Sequence, residues 1–190
     1  MDCEDLRSDA WGIERFKKIL QIERYVSAEV QRIIDEIKLS TEEIISESPD
    51  QIRAVYVMDR EGTVIAYTTN SILINTSNTF FAAPRFITSL KSLISTLPIG
   101  NVDYVLMQGT EGIIQLMSIR DMGYLMIIGN SEASIGLTRI LLEKYSDKLY
   151  NLLSRLVKVS EEELIEVINV EITPKDIEDV INFIRSKAVL

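Results

Sequence analysis

Two short stretches of this chain are apolar on both faces of an extended backbone, and this limits the folds open to it. In Val102–Gln108, Val102, Tyr104 and Leu106 alternate with Val105 and Met107, and the run Tyr124–Ile128 is equally apolar. Successive side chains of a strand point to opposite sides of a sheet. One layer of helices would therefore leave half of each run in water, so the sheet that holds these strands needs helices on both faces.

The remaining periodicities supply those helices. From Asp9 to about Tyr25, Ile13, Phe16, Ile19, Leu20 and Ile22 recur at helical spacing and predict an amphipathic leading helix. Val30, Ile33, Ile34, Ile37, Ile44 and Ile45 form a second stripe, broken by Ser40 and Thr41 and stopped at Pro49. The period then shortens: IRAVYVMD, the turn Arg60-Glu61-Gly62 and TVIAYTT read as a β-hairpin, with Gly62 as the left-handed turn residue. An uncharged run of Asn, Ser and Thr follows, and then Phe86, Ile87, Leu90, Leu93 and Ile94 predict a helix. Pro84 stands either in the first turn of that helix or one turn into it.

Pro98 and Gly100 end this helix. VDYVLMQ, IIQLMSI and YLMIIG then form an antiparallel meander, with turns at Thr110-Glu111-Gly112 and Asp121-Met122-Gly123. Asn130 or Ser131 caps a helix running to about Val157. Two short helices close the chain, one starting at the capping box Ser160-Glu161-Glu162-Glu163 and one at Thr173-Pro174. The expected fold class is α+β: a five-stranded antiparallel sheet with helices on both faces, a helical extension over residues 1–27, a central domain over 28–157 and a two-helix extension over 158–190.

The chemistry is defined by what the sequence lacks. There is no histidine among the 190 residues, which removes the commonest general base and transition-metal ligand. There is no phosphate-binding loop ending in Gly-Lys-Ser or Gly-Lys-Thr. Cys3 lies in a polar segment with nothing to activate it, and Glu161, Glu162 and Glu163 read as residues that complement a helix dipole. The expectation is a chain with no catalytic residues, no metal and no cofactor. The net charge of −9 disfavours nucleic acid and anionic lipid as partners. No apolar run approaches the roughly 20 residues of a membrane span. With a lone cysteine and no basic-then-apolar leader, the expected location is the cytoplasm.

The third strand, Val102–Gln108, has no proline or lysine to blunt an open edge; only Asp103 stands in that role, at its start. Residue patterns leave open whether it lies at an edge, where it would invite a partner strand, or in the middle of the sheet.

Three stretches carry a resemblance: IRAVYVMDREGTVIAY, VDYVLMQGTEGIIQLMSI and YLMIIGNSEASIGLTRILLEKY. Over residues 28–157 the chain resembles the roadblock or dynein light-chain-like family, which includes bacterial and archaeal regulators of Ras-like GTPases. The resemblance implies a profilin-like sheet with the first and last helices on one face and the middle helix on the other. It implies Gly136 as a site of close helix-to-sheet packing. It also implies a homodimer built on the third strand and the middle helix, with Phe86, Leu90, Leu93, Tyr104, Leu106 and Gln108 at the interface. The implied function is a non-catalytic scaffold that binds and regulates a small GTPase. Arg85 and Arg139 then come up as arginine fingers, although most helix arginines are simply solvated. Two other readings remain: a ligand-sensing profilin- or PAS-like module, and a structural adaptor within a larger complex.

Overall fold

The computed structural model describes residues 28–168, with side chains described as far as Ser160. The expected leading helix and the helix after Pro174 lie outside the described residues. Arg32–Leu156 forms one compact unit, treated below; the helical residues 28–31 and 157–168 belong to a second.

Helix α1 covers residues 28–47 and buries Ile33, Ile37, Ile44 and Ile45. Ser40 and Thr41, expected to interrupt this stripe, continue it instead and are fully buried. Each satisfies its hydroxyl: Ser40 Oγ donates to the Glu36 carbonyl (3.0 Å) and Thr41 Oγ1 to that of Lys38 (2.7 Å). Thr41 Oγ1 also shares a 2.7 Å hydrogen bond with Thr68 Oγ1, tying α1 to the sheet.

Strands β1 (Ile52–Met58) and β2 (Val64–Thr69) form the first hairpin. Its turn is built by Asp59, whose Oδ1 accepts from the amides of Glu61 (2.9 Å) and Thr63 (2.8 Å), with Gly62 at φ +86°. Helix α2 spans Thr76–Ser95 and so begins at least one turn earlier than either expected placement of Pro84 implies. Asn75 caps it by accepting from the Asn78 amide (3.0 Å), so the neutral Asn/Ser/Thr run is partly helix and Pro84 sits in the interior. There it has no amide hydrogen to give the Phe80 carbonyl.

Strands β3 (Tyr104–Gln108), β4 (Gly112–Ser118) and β5 (Tyr124–Asn130) follow as a meander. All pairs are antiparallel and the order is β2-β1-β5-β4-β3, which places β3 at an edge. Helix α3 runs unbroken over Ile135–Ile168. Its N-terminal cap is Ser134, whose Oγ accepts from the Leu137 amide (3.3 Å); Asn130, expected to cap it, instead braces the preceding turn by accepting from the Glu132 amide (3.0 Å). The expected break near Ser160 does not occur. A capping box acts as a start only where the residues before it leave the helix, and Lys158-Val159-Ser160 contains no glycine or proline to make them do so.

The two faces are covered differently. Ala54, Tyr56, Met58, Leu116 and Met126 of the sheet pack with Ala83 and Ile87 of α2. The opposite face is covered by α1 and α3, which are joined along their exposed sides by Glu36–Arg155 (3.1 Å), Glu43–Lys148 (2.7 Å) and Glu47–Lys144. The close helix-to-sheet packing expected at Gly136 does not occur there, since a Cβ on the exposed Gly136 would meet nothing nearer than 4.0 Å; the tight glycine is Gly129, where a Cβ would meet Ala133 Cβ, in the turn before α3, at 2.6 Å.

Candidate interaction surface

An antiparallel strand alternates residues that bond to its neighbour with residues whose amide and carbonyl point away. The Ser118 amide donates to the Asp103 carbonyl (2.8 Å) and the Gly109 amide to that of Gly112 (2.8 Å). Residues 103, 105, 107 and 109 therefore face β4, and the backbone groups of Tyr104, Leu106 and Gln108 point outward at the sheet edge. No charged side chain lies on β3. Unpaired among the described residues, uncharged and long enough for three outward residues, this edge is a template for another strand.

The side chains along the edge divide between the faces. Leu106 lies opposite Gln115 and Met107 opposite Ile114 in the β3–β4 register. Val105 and Met107 therefore project toward α2, and Tyr104, Leu106 and Gln108 toward α3. Phe86 and Leu90 of α2 pack against the core below, while Leu93 (56% exposed) and Leu97 (43%) extend the same flank into solvent. With Met107 (37% exposed), they form an uncharged apolar strip beside the open edge.

The structure thus brings Phe86, Leu90 and Leu93 together on one side, whereas Tyr104, Leu106 and Gln108 offer their backbones to the edge and their side chains to the other. Met107 and Leu97 belong to the surface; they fall within the third strand and middle helix expected to form it, though not among the six residues singled out. Strand alternation marks Met107 as one of two sets, but only the pairing register shows which set shares a face with α2.

On the α3 side the edge is braced by polar groups. Tyr104 Oη donates to Gln115 Oε1 (2.9 Å), and Gln115 Nε2 reaches Thr138 Oγ1 and the Ile135 carbonyl (3.4 Å). Gln115 and Thr138 are fully buried. Burial raises the Tyr104 hydroxyl above the usual tyrosine range, tempered by the Arg139 guanidinium 5.0 Å from the ring centre. Arg139 also pairs with Glu143 (3.1 Å). Arg85 is exposed on α2 with no carboxylate partner among the described residues.

Elsewhere, a groove of about 360 Å³ runs between α1 and β2, lined by Ile34, Lys38, Glu42, Ile65, Tyr67 and Thr68. Among the described residues no cluster of three or more metal-ligating side chains occurs, and no helix is long and apolar enough to cross a membrane.

No family model and no curated protein sequence matches the chain. By structure it is similar to MglB of Myxococcus xanthus, with a TM-score of 0.58 and 16% identity over 65% of this chain and 91% of that one. It is also similar to the gliding protein MglB of Thermus thermophilus, with a TM-score of 0.54 and 16% identity over 65% and 90%. A Roadblock/LC7 domain from Streptomyces avermitilis gives a TM-score of 0.52 and 12% identity over 62% and 97%. The chain has the roadblock-type fold, with the five-stranded antiparallel sheet and two-sided helical cover that its sequence implies.

Proposed function

From a roadblock-type fold whose edge strand β3 carries no charge, we propose that this protein is a non-catalytic scaffold. It pairs with a second copy through β3 and the adjoining flank of α2, and the pair binds and regulates a small Ras-like GTPase in the cytoplasm. The observation that carries the pairing is the coincidence of unpaired Tyr104, Leu106 and Gln108 backbone groups with the apolar strip of Phe86, Leu93, Leu97 and Met107. Two such edges joined antiparallel would make one continuous sheet across two subunits, satisfying the outward amides and carbonyls and removing the strip from water together.

The GTPase reading rests on the likeness of fold to roadblock domains and on a sequence with neither histidine nor a phosphate-binding loop. Light scattering at micromolar concentration should give twice the chain mass; a mass of one chain refutes the pairing. Calorimetry against the small GTPases of the host, each loaded with GDP and with a non-hydrolysable GTP analogue, should show saturable binding to at least one. Heatless titrations throughout would refute the GTPase assignment.

A further inference from the structure

The sheet has a second flank, on the side away from β3. Strand β2 ends it there and carries no charged residue. The Asn70 amide donates to the Arg53 carbonyl (3.1 Å), and Thr69 lies opposite Ala54 in the β1–β2 register. By the alternation of an antiparallel pair, Ala66 and Thr68 bond to β1, and the backbone groups of Tyr67 and Thr69 point outward. The side chains divide between the faces. Thr68 Oγ1 meets Thr41 of α1, whereas Tyr67 turns to the α2 face, stacking on Tyr56 (5.8 Å between ring centres) and meeting Phe80 edge to face (5.1 Å).

The groove between α1 and β2 follows this flank. Consecutive residues of a strand alternate between faces, yet all of Ile65–Thr69 line the groove, so it borders the backbone edge of β2 as well as its α1 side. The opposite wall is α1, which presents Ile34, Lys38 and Glu42 at intervals of four residues. Neither the Lys38 ammonium nor the Glu42 carboxylate has a partner among the described residues.

We propose that this edge takes an extended peptide of a partner protein as a sixth strand, with an acidic and a basic residue two positions apart on its groove face and an apolar residue between them. The outward amides and carbonyls of Tyr67 and Thr69 demand an extended backbone alongside. Lys38 and Glu42 stand about 6 Å apart along their helix, and alternate residues of a strand are about 6.8 Å apart. One peptide can therefore bring a carboxylate to Lys38 and a cation to Glu42. The residue between them lies on the other face, beside Tyr67 and Phe80, both partly exposed. A second copy of this chain fits less well: its β2 brings to the groove only Ala66 and Thr68, small and uncharged, and the Thr68 hydroxyl is already bonded to Thr41. The edge lies across the sheet from β3, so its use does not depend on the pairing proposed above.

A displayed library of nine-residue peptides, selected on the full chain, tests the recognition. Enriched sequences should carry an acid and a base two residues apart, in one fixed order, around an apolar residue. Selection on the double variant Lys38→Glu, Glu42→Lys should reverse that order, a result that no indirect effect on folding produces. The enriched peptide, synthesised and titrated into the protein by calorimetry, should tolerate N-methylation at alternate residues and lose at least about tenfold in affinity when the intervening amides, which face β2, are methylated. No enrichment over an unrelated protein, an order of charges unmoved by the exchange, or N-methylation effects without a two-residue period would each overturn the proposal. A light-scattering mass above two chains that falls in Lys38→Glu would place a second copy on this edge and overturn it as well.

Discussion

Replacing Gly62 by alanine adds one carbon atom at a place with no room for it. Gly62 has φ of +86°, where an L-residue is about 1–2 kcal/mol less stable than glycine. The new Cβ would lie 2.8 Å from Ile87 Cγ1 and 2.9 Å from Pro84 Cα. Ile87 is fully buried and the other contact is backbone, so relief requires α2 to move off the sheet, which costs about 1–3 kcal/mol more. The sum is about 2–5 kcal/mol. Gly100 provides the control, because it also has positive φ (+70°) but nothing lies within 4 Å of its added carbon. Gly100→Ala should show the backbone part alone, about 1–2 kcal/mol. Urea unfolding of both variants at one protein concentration, which matters for any protein that self-associates, gives the comparison directly. Gly62→Ala should lose at least about 1 kcal/mol more than Gly100→Ala. Equal midpoint shifts would mean that the β1–β2 turn does not press on α2.

Four other outcomes are expected. Met107→Lys or Leu93→Asp should weaken self-association at least about a hundredfold by placing a charge in an apolar interface, and unchanged light-scattering masses would contradict the surface described. Replacing Lys144, Lys148 and Arg155 together by methionine should shift stability by less than about 2 kcal/mol, because all three pairs are half exposed; a larger loss in a urea titration would refute this. Tyr56→Phe should hold or raise the urea midpoint, since the hydroxyl is buried with no hydrogen-bond partner among the described residues, Thr79 being near but not placed to bond it; a loss above about 1 kcal/mol would reveal a partner. Burial raises the pKa values of Tyr56, Tyr104, Tyr124 and Tyr145 above the ordinary tyrosine value of 10.0. Above that pH the unfolded chain sheds tyrosine protons that the folded chain keeps, so stability should hold below pH 10 and fall as pH rises beyond it, less steeply in Tyr56→Phe. A midpoint unchanged through this range would contradict the burial.

Much of the architecture is legible in the residues, since each element announces itself by its own period. Isoleucines at helical spacing mark α1, alternating runs between turn residues mark the five strands, and strands apolar on both faces require cover on both sides. The start of α2 was hidden because Thr76-Ser77-Asn78-Thr79 has the composition of a loop; the Asn75 cap and the contact of Phe80 with Tyr67, 5.1 Å between ring centres, make it helix. Ser40 and Thr41 looked like a break because a hydroxyl counts as polar until its partner is known, and the partner of Thr41 is Thr68, 27 residues away.

Local grammar is thus written in the residues: which segments coil, which extend, and that the sheet is buried from both sides. Where the ends of that sheet fall depends on contacts between distant parts of the chain. The first hairpin pairs with the last strand, Val55 opposite Ile127, and this long-range closure leaves β3 outermost and sets Met107 on the face that α2 covers. Periodicity records which way a side chain points relative to its neighbours in the chain, but not which strand lies alongside. Edge and interior strands of this chain are equally apolar, so the open flank became visible only once the strands were paired.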